Sequence, residues 1–366
     1  MGFENIIGQR QVKLFFEKAL RNQRMSHAYL FVGERGVGKE AMALEVAKSL
    51  FCSNRTPFPC GQCADCHRIA RIAHPDLLYV YPAPLKVNEG DHQKIIASLQ
   101  TDPYQRLELW ANPSISIERI RQIRQASAFK SLEGKGRIVI LVDAERMTIE
   151  AANALLKILE EPPEGTYLLL ISSKPNLIVP TIASRCQPVN FDPLAAEEIE
   201  SALIQRNGVA ATQARLVARL SSGSYRQAIE LLDEDLQSLR EEALEFFRKS
   251  VQNDFTQLLF VEEVLHRVQR DSKRVKDLLG ALLFWFRDAM IYRESHGEKC
   301  ENLVNFDQVE VLQKFVANFP HADLYGAVQE VEKSMELMQR NVQLNLILIV
   351  LLNKLRARIK ETRDAY

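Results

Sequence analysis

No apolar run in the 366-residue sequence is long enough to span a bilayer. A membrane helix needs about 20 mostly apolar residues. The best candidate, 344–355, is shorter and is broken by Asn345 and Asn353. A secretory signal is missing from the N-terminus, and Met1-Gly2 is not followed by the Ser or Thr at position 6 that N-myristoylation requires. A soluble, cytoplasmic protein with no membrane partner is expected. An excess of one charge sign is missing too, because 47 Lys and Arg balance 47 Asp and Glu. A chain that bound DNA alone by neutralising phosphates would be basic, so any DNA contact should be local and shared with partners. Repeats and low-complexity tracts are absent, and glycine and proline are few after residue 236. The length suggests two or three domains, and a 46% hydrophobic content is ample for their cores.

Two further absences are chemical. Gly33-Glu34-Arg35-Gly36-Val37-Gly38-Lys39-Glu40 spells a P-loop up to its last position, where Glu40 stands in place of Ser or Thr. In that motif the backbone N–H groups cradle phosphates, the Lys reaches the β/γ-phosphates and the hydroxyl ligates Mg²⁺. Lys39 remains and the hydroxyl is gone. The Glu40 carboxylate would repel a phosphate at ~4 Å by about 4 kcal/mol at an effective dielectric of ~20, so binding of ATP and Mg²⁺ is disfavoured. Flanking sequence supports the motif: 28–32 is an apolar, buried-strand run, and 40–51 has helical period through Ala41, Leu44, Ala47, Lys48 and Phe51. The second absence follows Arg137-Ile138-Val139-Ile140-Leu141-Val142-Asp143, an apolar strand ending in a carboxylate of the kind that holds Mg²⁺. A water-polarising Glu should come next, but Ala144 does and Glu145 arrives one place late. A shift of one residue at a strand end turns the side chain the other way.

Cysteine is concentrated where it can act. Four of six lie at Cys52, Cys60, Cys63 and Cys66, spaced C-x7-C-x2-C-x2-C. Four thiolates converging on one tetrahedral ion, with no open position, make a structural Zn²⁺ site. Free thiols and disulfides are the other readings; clustering at ligand spacing disfavours the first and a reducing cytosol the second. His67 adjoins Cys66 and is expected outside the shell, and Cys186 and Cys300 look unrelated.

The Ser-Arg-Cys triplet of Thr181-Ile182-Ala183-Ser184-Arg185-Cys186, together with Ala152-Asn153-Ala154-Leu155-Leu156-Lys157-Ile158-Leu159-Glu160-Glu161-Pro162-Pro163, resembles the clamp-loader branch of the AAA+ family. Ile7-Gly8-Gln9, His27-Ala28-Tyr29-Leu30-Phe31 and Gly36-Val37-Gly38-Lys39 fit the same branch. The resemblance is dense over 3–190 and thin beyond, except at Gly223-Ser224-Tyr225-Arg226; it is weakest over 84–113. It implies an α/β P-loop (AAA+) domain with a parallel sheet over 1–190, carrying a zinc module at 52–66. A small helical lid over 191–235 and an all-α collar domain over 236–366 would follow.

With the hydroxyl and the Asp-Glu pair both missing, the chain looks most like a non-hydrolysing, structural subunit of that branch. The resemblance implies a hetero-oligomeric ring with gamma/tau and delta subunits, reaching the sliding clamp and primer-template DNA through the complex. Arg185, which alone would read as a surface arginine, resembles the family's arginine finger, inserted in trans into a neighbour's ATP site. Gly33, Gly36, Gly38, Lys39, Asp143, Ser173 and Arg226 would form a degenerate nucleotide site, with Ser173 as strand-end sensor and Arg226 as lid sensor. Two other classes stay open: an active ATPase of the same branch that tolerates Glu40, and a stand-alone zinc-containing nucleic-acid-binding protein. The basic residues Arg119, Arg121, Arg124, Lys130, Lys135 and Arg137 fit a solvated helix face better than a DNA-binding one.

Overall fold

In a computed structural model the described residues are 3–54, 59–129, 131–232, 236–251, 257–267, 272–298, 303–339 and 342–360. Met1, Gly2, Lys130, Cys300 and the expected boundary at residue 235 lie outside them. Two compact units divide the chain, Met1–Ile229 and Glu230–Tyr366.

The first unit is built on a five-stranded parallel sheet: β1 (Ala28–Val32), β2 (Leu77–Val80), β3 (Arg137–Leu141), β4 (Thr166–Ser172) and β5 (Gln187–Asn190), in the spatial order β2-β3-β4-β1-β5. Helices fill the connections: α1 (Arg10–Arg21), α2 (Lys39–Phe51), α3 (Ala64–Ala70), α4 (Glu89–Thr101), α5 (Ile117–Ala128), α6 (Ile149–Glu160) and α7 (Pro180–Ala183). Parallel strands joined by helices are covered on both faces, so they read as continuous apolar runs. Alternate residues point to opposite sides. Ala28, Leu30, Val139, Leu141, Leu168 and Leu170 pack with Ile120 and Ile123 of α5 and Leu155 and Ile158 of α6. On the other face Phe16 of α1 stacks near Tyr29 and Phe31, at 5.3 and 5.5 Å between ring centroids. Each such fully buried large side chain contributes roughly 1.5–3 kcal/mol.

Local chemistry sets the element ends. The Thr148 hydroxyl caps α6 by accepting the Ala151 N–H, with Glu150 complementing the first turn. Pro162 and Pro163 follow its last turn and cannot continue it. The sheet register places the residues after β1, β3 and β4 at the carboxyl edge, where open α/β sheets bind ligands.

After β5 the chain is helical. α8 (Ala196–Asn207), α9 (Ala211–Leu220) and the start of α10 (Tyr225–Leu232) complete the first unit. The second contains α11 (Leu236–Val251), α12 (Gln257–Arg267), α13 (Ser272–Glu294), α14 (Val309–Asn318), α15 (Leu324–Gln339) and α16 (Leu344–Lys360). Its core includes an aromatic cluster of Phe247, Trp285, Phe286 and Phe315. The buried Asp288 carboxylate accepts the N–H groups of Val304 and Asn305, fixing that loop against α13. No helix among the described residues is long and apolar enough to cross a membrane.

Candidate functional site

The loop from Gly33 to Gly38 joins β1 to α2 as the motif predicts. Gly36 and Gly38 both have left-handed backbone, at φ 78° and 99°, and both are closely packed. A Cβ on Gly36 would meet Ser224 Oγ at 2.2 Å, and one on Gly38 would meet Tyr104 Oη at 2.9 Å. A tyrosine and the turn before α10 therefore press on the loop whose glycines ordinarily let phosphates approach. The Lys39 ammonium folds back onto its own loop, donating to the carbonyls of Gly33 at 2.6 Å and of Glu34. Burial pushes it down to about 8, against the opposing pull of Glu40, Asp143, Glu145 and Glu34.

Glu40 and Asp143 are bridged by an arginine that sequence reasoning did not single out. Arg106, only 5% exposed, donates to Asp143 Oδ2 at 2.5 Å and to Glu40 Oε1 at 3.3 Å. The Tyr79 hydroxyl donates to the other oxygen of Glu40 at 2.6 Å. Burial alone would loosen the guanidinium proton. Glu40, Tyr79, Asp143 and Glu108 outweigh it and hold the charge more firmly than usual. Asp143 itself has left-handed backbone, φ 50°, which costs a non-glycine residue on the order of 1–2 kcal/mol. Its second oxygen faces Arg35 at 3.8 Å.

The remaining predicted site residues are also engaged. Ser173, just past β4, donates its N–H and hydroxyl to Glu145 Oε1 at 3.2 and 3.0 Å. Arg226 pairs with Glu108 at 3.2 Å, and Arg35 pairs with the same carboxylate at 3.0 Å. The Tyr225 N–H donates to Gly36 O at 3.1 Å, and its ring meets that of Tyr104 edge-on at 5.1 Å. Gly36, Gly38, Lys39, Asp143, Ser173 and Arg226 thus line one cleft with Tyr104, Arg106 and Glu108, and its cavity volume is about 40 Å³. Pockets for cofactor-sized ligands measure about 300–1,000 Å³. Gly33 contacts the cleft through Lys39.

The four cysteines come together at the C-terminal end of α2 and the start of α3. Their Sγ atoms all lie within 4.8 Å of one another, with Cys60–Cys66 and Cys52–Cys63 at 4.0 Å. Backbone N–H groups of Cys60, Cys63 and Cys66 point at the sulfurs of Cys52, Cys60 and Cys63, at 3.4–3.5 Å. Such donors favour thiolate. Burial raises the Cys63 thiol, yet these contacts overcome it and bring it down to about 6. The cluster has the donor set of a metal site, and His67 is exposed and outside it. A neighbouring trio, Asp65, His74 and Glu133, also converges. Its carboxylates are already paired: Arg68 holds Asp65 and Glu133, and Lys135 holds Asp65 at 2.7 Å. His74 Nδ1 accepts the Asp76 N–H, leaving the proton on Nε2 toward Glu133. This trio is an ion-pair network bracing the cysteine cluster. Cys186 lies buried in the core under α7, its thiol pushed up to about 12 by burial.

One expectation needs correction. The basic residues do not form one solvated helix face. Arg121 and Arg124 are exposed, but Arg137 is buried against Asp76 at 3.2 Å, and Lys135 anchors Asp65. Arg119, half-buried, donates to Pro84 O. Residues 84–113, which matched no pattern, supply Tyr104, Arg106 and Glu108. The only sequence signal for them was indirect: two carboxylates, Glu40 and Asp143, at positions that a P-loop brings to one site and that together call for a cation.

Arg185 follows α7 on the surface. It is 37% exposed, paired with Glu160 at 2.9 Å, and donates to Thr181 O at 3.0 Å. It does not line the cleft of its own chain.

A family model described as DNA polymerase III, delta subunit, matches residues 8–195, and one described as its C-terminal part matches 234–356. The chain is 29% identical over 296 residues to DNA polymerase III subunit delta' of Bacillus subtilis, covering 81% of this chain and 80% of that one. It is 26% identical over 359 residues to subunit tau of the same organism, covering 92% of this chain and 58% of the relative. A gamma subunit-related protein from Thermotoga maritima aligns with 94% of this chain and 99% of its own, at 19% identity and a TM-score of 0.40. The first model alone takes in more than half of the sequence, so the chain belongs to the DNA polymerase III delta-subunit family.

Proposed function

We propose that this chain is a non-hydrolysing, structural subunit of the DNA polymerase III clamp loader, helping to place the sliding clamp on primed DNA. The observation that carries this reading is Glu40. At the position where hydrolysis needs a Mg²⁺-binding hydroxyl stands a carboxylate held by Tyr79 and Arg106. Glu145, one place late, is turned to the strand-end Ser173, which donates twice to its Oε1. Similarity to subunit delta' of Bacillus subtilis supports the same assignment.

In this reading Arg185 acts outside its own chain. It is exposed, its pair with Glu160 is of the surface kind that contributes only ~0.2–1 kcal/mol, and it can swing to a neighbour's ATP. Residues 191–235 act as lid and 236–366 as the collar that holds gamma/tau and delta subunits in the ring. The cysteine cluster holds a structural Zn²⁺: sulfurs at ~2.3 Å from a tetrahedral ion lie ~3.8 Å apart, close to the 4.0 Å separations here. The protein works in the cytoplasm, and clamp and DNA are reached through the complex.

Mixing the purified chain with gamma/tau and delta subunits tests the assignment. A stoichiometric ring, seen by native mass spectrometry, whose clamp loading depends on this chain is the expected result. A chain that stays monomeric and hydrolyses ATP by itself contradicts it.

A further inference from the structure

Arg106 and Glu108 sit two residues apart on the segment between α4 and α5, and each meets the groups that a magnesium nucleotide would meet. Arg106 lies between Glu40 and Asp143, the two positions at which a P-loop site binds its divalent cation. Glu108 presents its carboxylate to Arg35 of the loop and to Arg226 of the lid. Tyr104 covers Gly38, with its hydroxyl fixed by the Ile7 N–H at 2.8 Å and its ring against Tyr225. We propose that residues 102–108 are a built-in substitute for the magnesium nucleotide, with the Arg106 guanidinium in the place of the cation and the Glu108 carboxylate in the place of a phosphate. The inference rests on this chain's own cleft and holds whether or not the chain serves in a clamp loader.

Charge and space both favour it. The half-buried Glu40 and the buried Asp143 carboxylates both meet one cation, Arg106, which is itself buried. This counter-charge comes from the same chain and at no cost in ligand binding, so the site keeps its shape permanently. A cavity of about 40 Å³ leaves room for only a few waters. In an ATPase the contact between P-loop and lid sensor is made by a phosphate and is lost on its release. Here Glu108, part of the chain itself, makes that contact without any ligand. Glu40 then ceases to be a defect: its carboxylate accepts from both Arg106 and Tyr79.

The test uses the full-length protein and magnesium chloride as probe. Arg106→Gln should melt roughly 5–15 °C below the wild type, as expected when a buried pair loses one partner. Millimolar MgCl₂ should recover most of that loss, because the freed carboxylates now bind the ion. NaCl at matched ionic strength should not, and neither salt should move the wild type comparably. Should Arg106→Gln fail to accumulate in folded form, Arg106→Lys keeps a cation there without the fork and should fold with a smaller loss that Mg²⁺ does not relieve; a Lys variant as unstable as Arg106→Gln overturns the cation role. For the phosphate half, Glu108→Gln should speed amide exchange across 223–229 roughly two- to fivefold, in keeping with a partly exposed ion pair. An Arg106→Gln protein that melts with the wild type, or whose loss Mg²⁺ reverses no better than NaCl, overturns the cation role. Unchanged exchange in Glu108→Gln overturns the phosphate role.

Discussion

Ser173 gives both its backbone N–H and its hydroxyl to one oxygen of Glu145, at 3.2 and 3.0 Å. The carboxylate that a motor would turn toward water is thereby tied to the strand-end sensor. Restoring the missing hydroxyl alone should not create an ATPase. Glu40→Ser leaves Glu145 on Ser173 and removes the acceptor of Tyr79 and Arg106, so a loss of about 1–3 kcal/mol in urea unfolding is expected, with no phosphate release. Turnover near ~1 per second by the wild type, abolished by Lys39→Ala, would contradict this.

Lys39 makes stability rise with pH in an identifiable window. Its ammonium is held at about 8 in the folded chain and at 10.5 when unfolded. Below about pH 8 both states are charged and burial of the charge costs stability; between the two values only the unfolded chain keeps the proton. Stability attributable to Lys39 should therefore increase across that window, by up to about 3 kcal/mol. Subtracting unfolding free energies of Lys39→Met, which cannot titrate, from those of the wild type at about pH 7 and about pH 10 isolates the effect from other groups. A pH-independent difference refutes it.

Metal and fold should be lost together at the cysteine cluster. Cys63→Ser removes the thiol whose titration is shifted furthest toward thiolate, and ligation is coupled to folding in such sites. Lower zinc by elemental analysis and a lower melting temperature are expected in the same preparation. Native protein free of zinc would refute the assignment.

Arg185→Ala should leave the chain folded and assembled, since an exposed arginine contributes within about ±0.5 kcal/mol. The ring's clamp- and DNA-stimulated hydrolysis should fall, by up to the ~10³-fold of a lost arginine finger at the affected site. Single-turnover measurement on the assembled complex avoids masking by intact sites. Wild-type hydrolysis and loading by a fully assembled mutant ring would make Arg185 merely structural.

Part of the sheet was legible because buried parallel strands are apolar without interruption: 28–32 reads as a strand and is β1, and the apolar run before Asp143 contains β3. β5 was not legible. Gln187-Pro188-Val189-Asn190 has one buried residue and a proline, tolerated because the strand lies at the sheet edge. The P-loop glycines, Lys39 and Asp143 declared themselves by local pattern. Arg106 did not, because its partners stand 66 and 37 positions away and no local period encodes a long-range ion pair. The burial of Arg137 escaped for the same reason.

The strand order has a consequence for how the molecule comes into being. β1 is the first strand made, yet its two neighbours are the last: Ala28 pairs with Leu168 and Tyr29 with Gln187. On a ribosome releasing about 5–20 residues per second, the apolar segment 28–32 waits for most of the first unit to be synthesised before either edge is covered. Closing so long a loop makes nucleation slow and leaves that segment open to aggregation. Recovery from denaturant should accordingly depend on protein concentration, with the best yield in dilute solution.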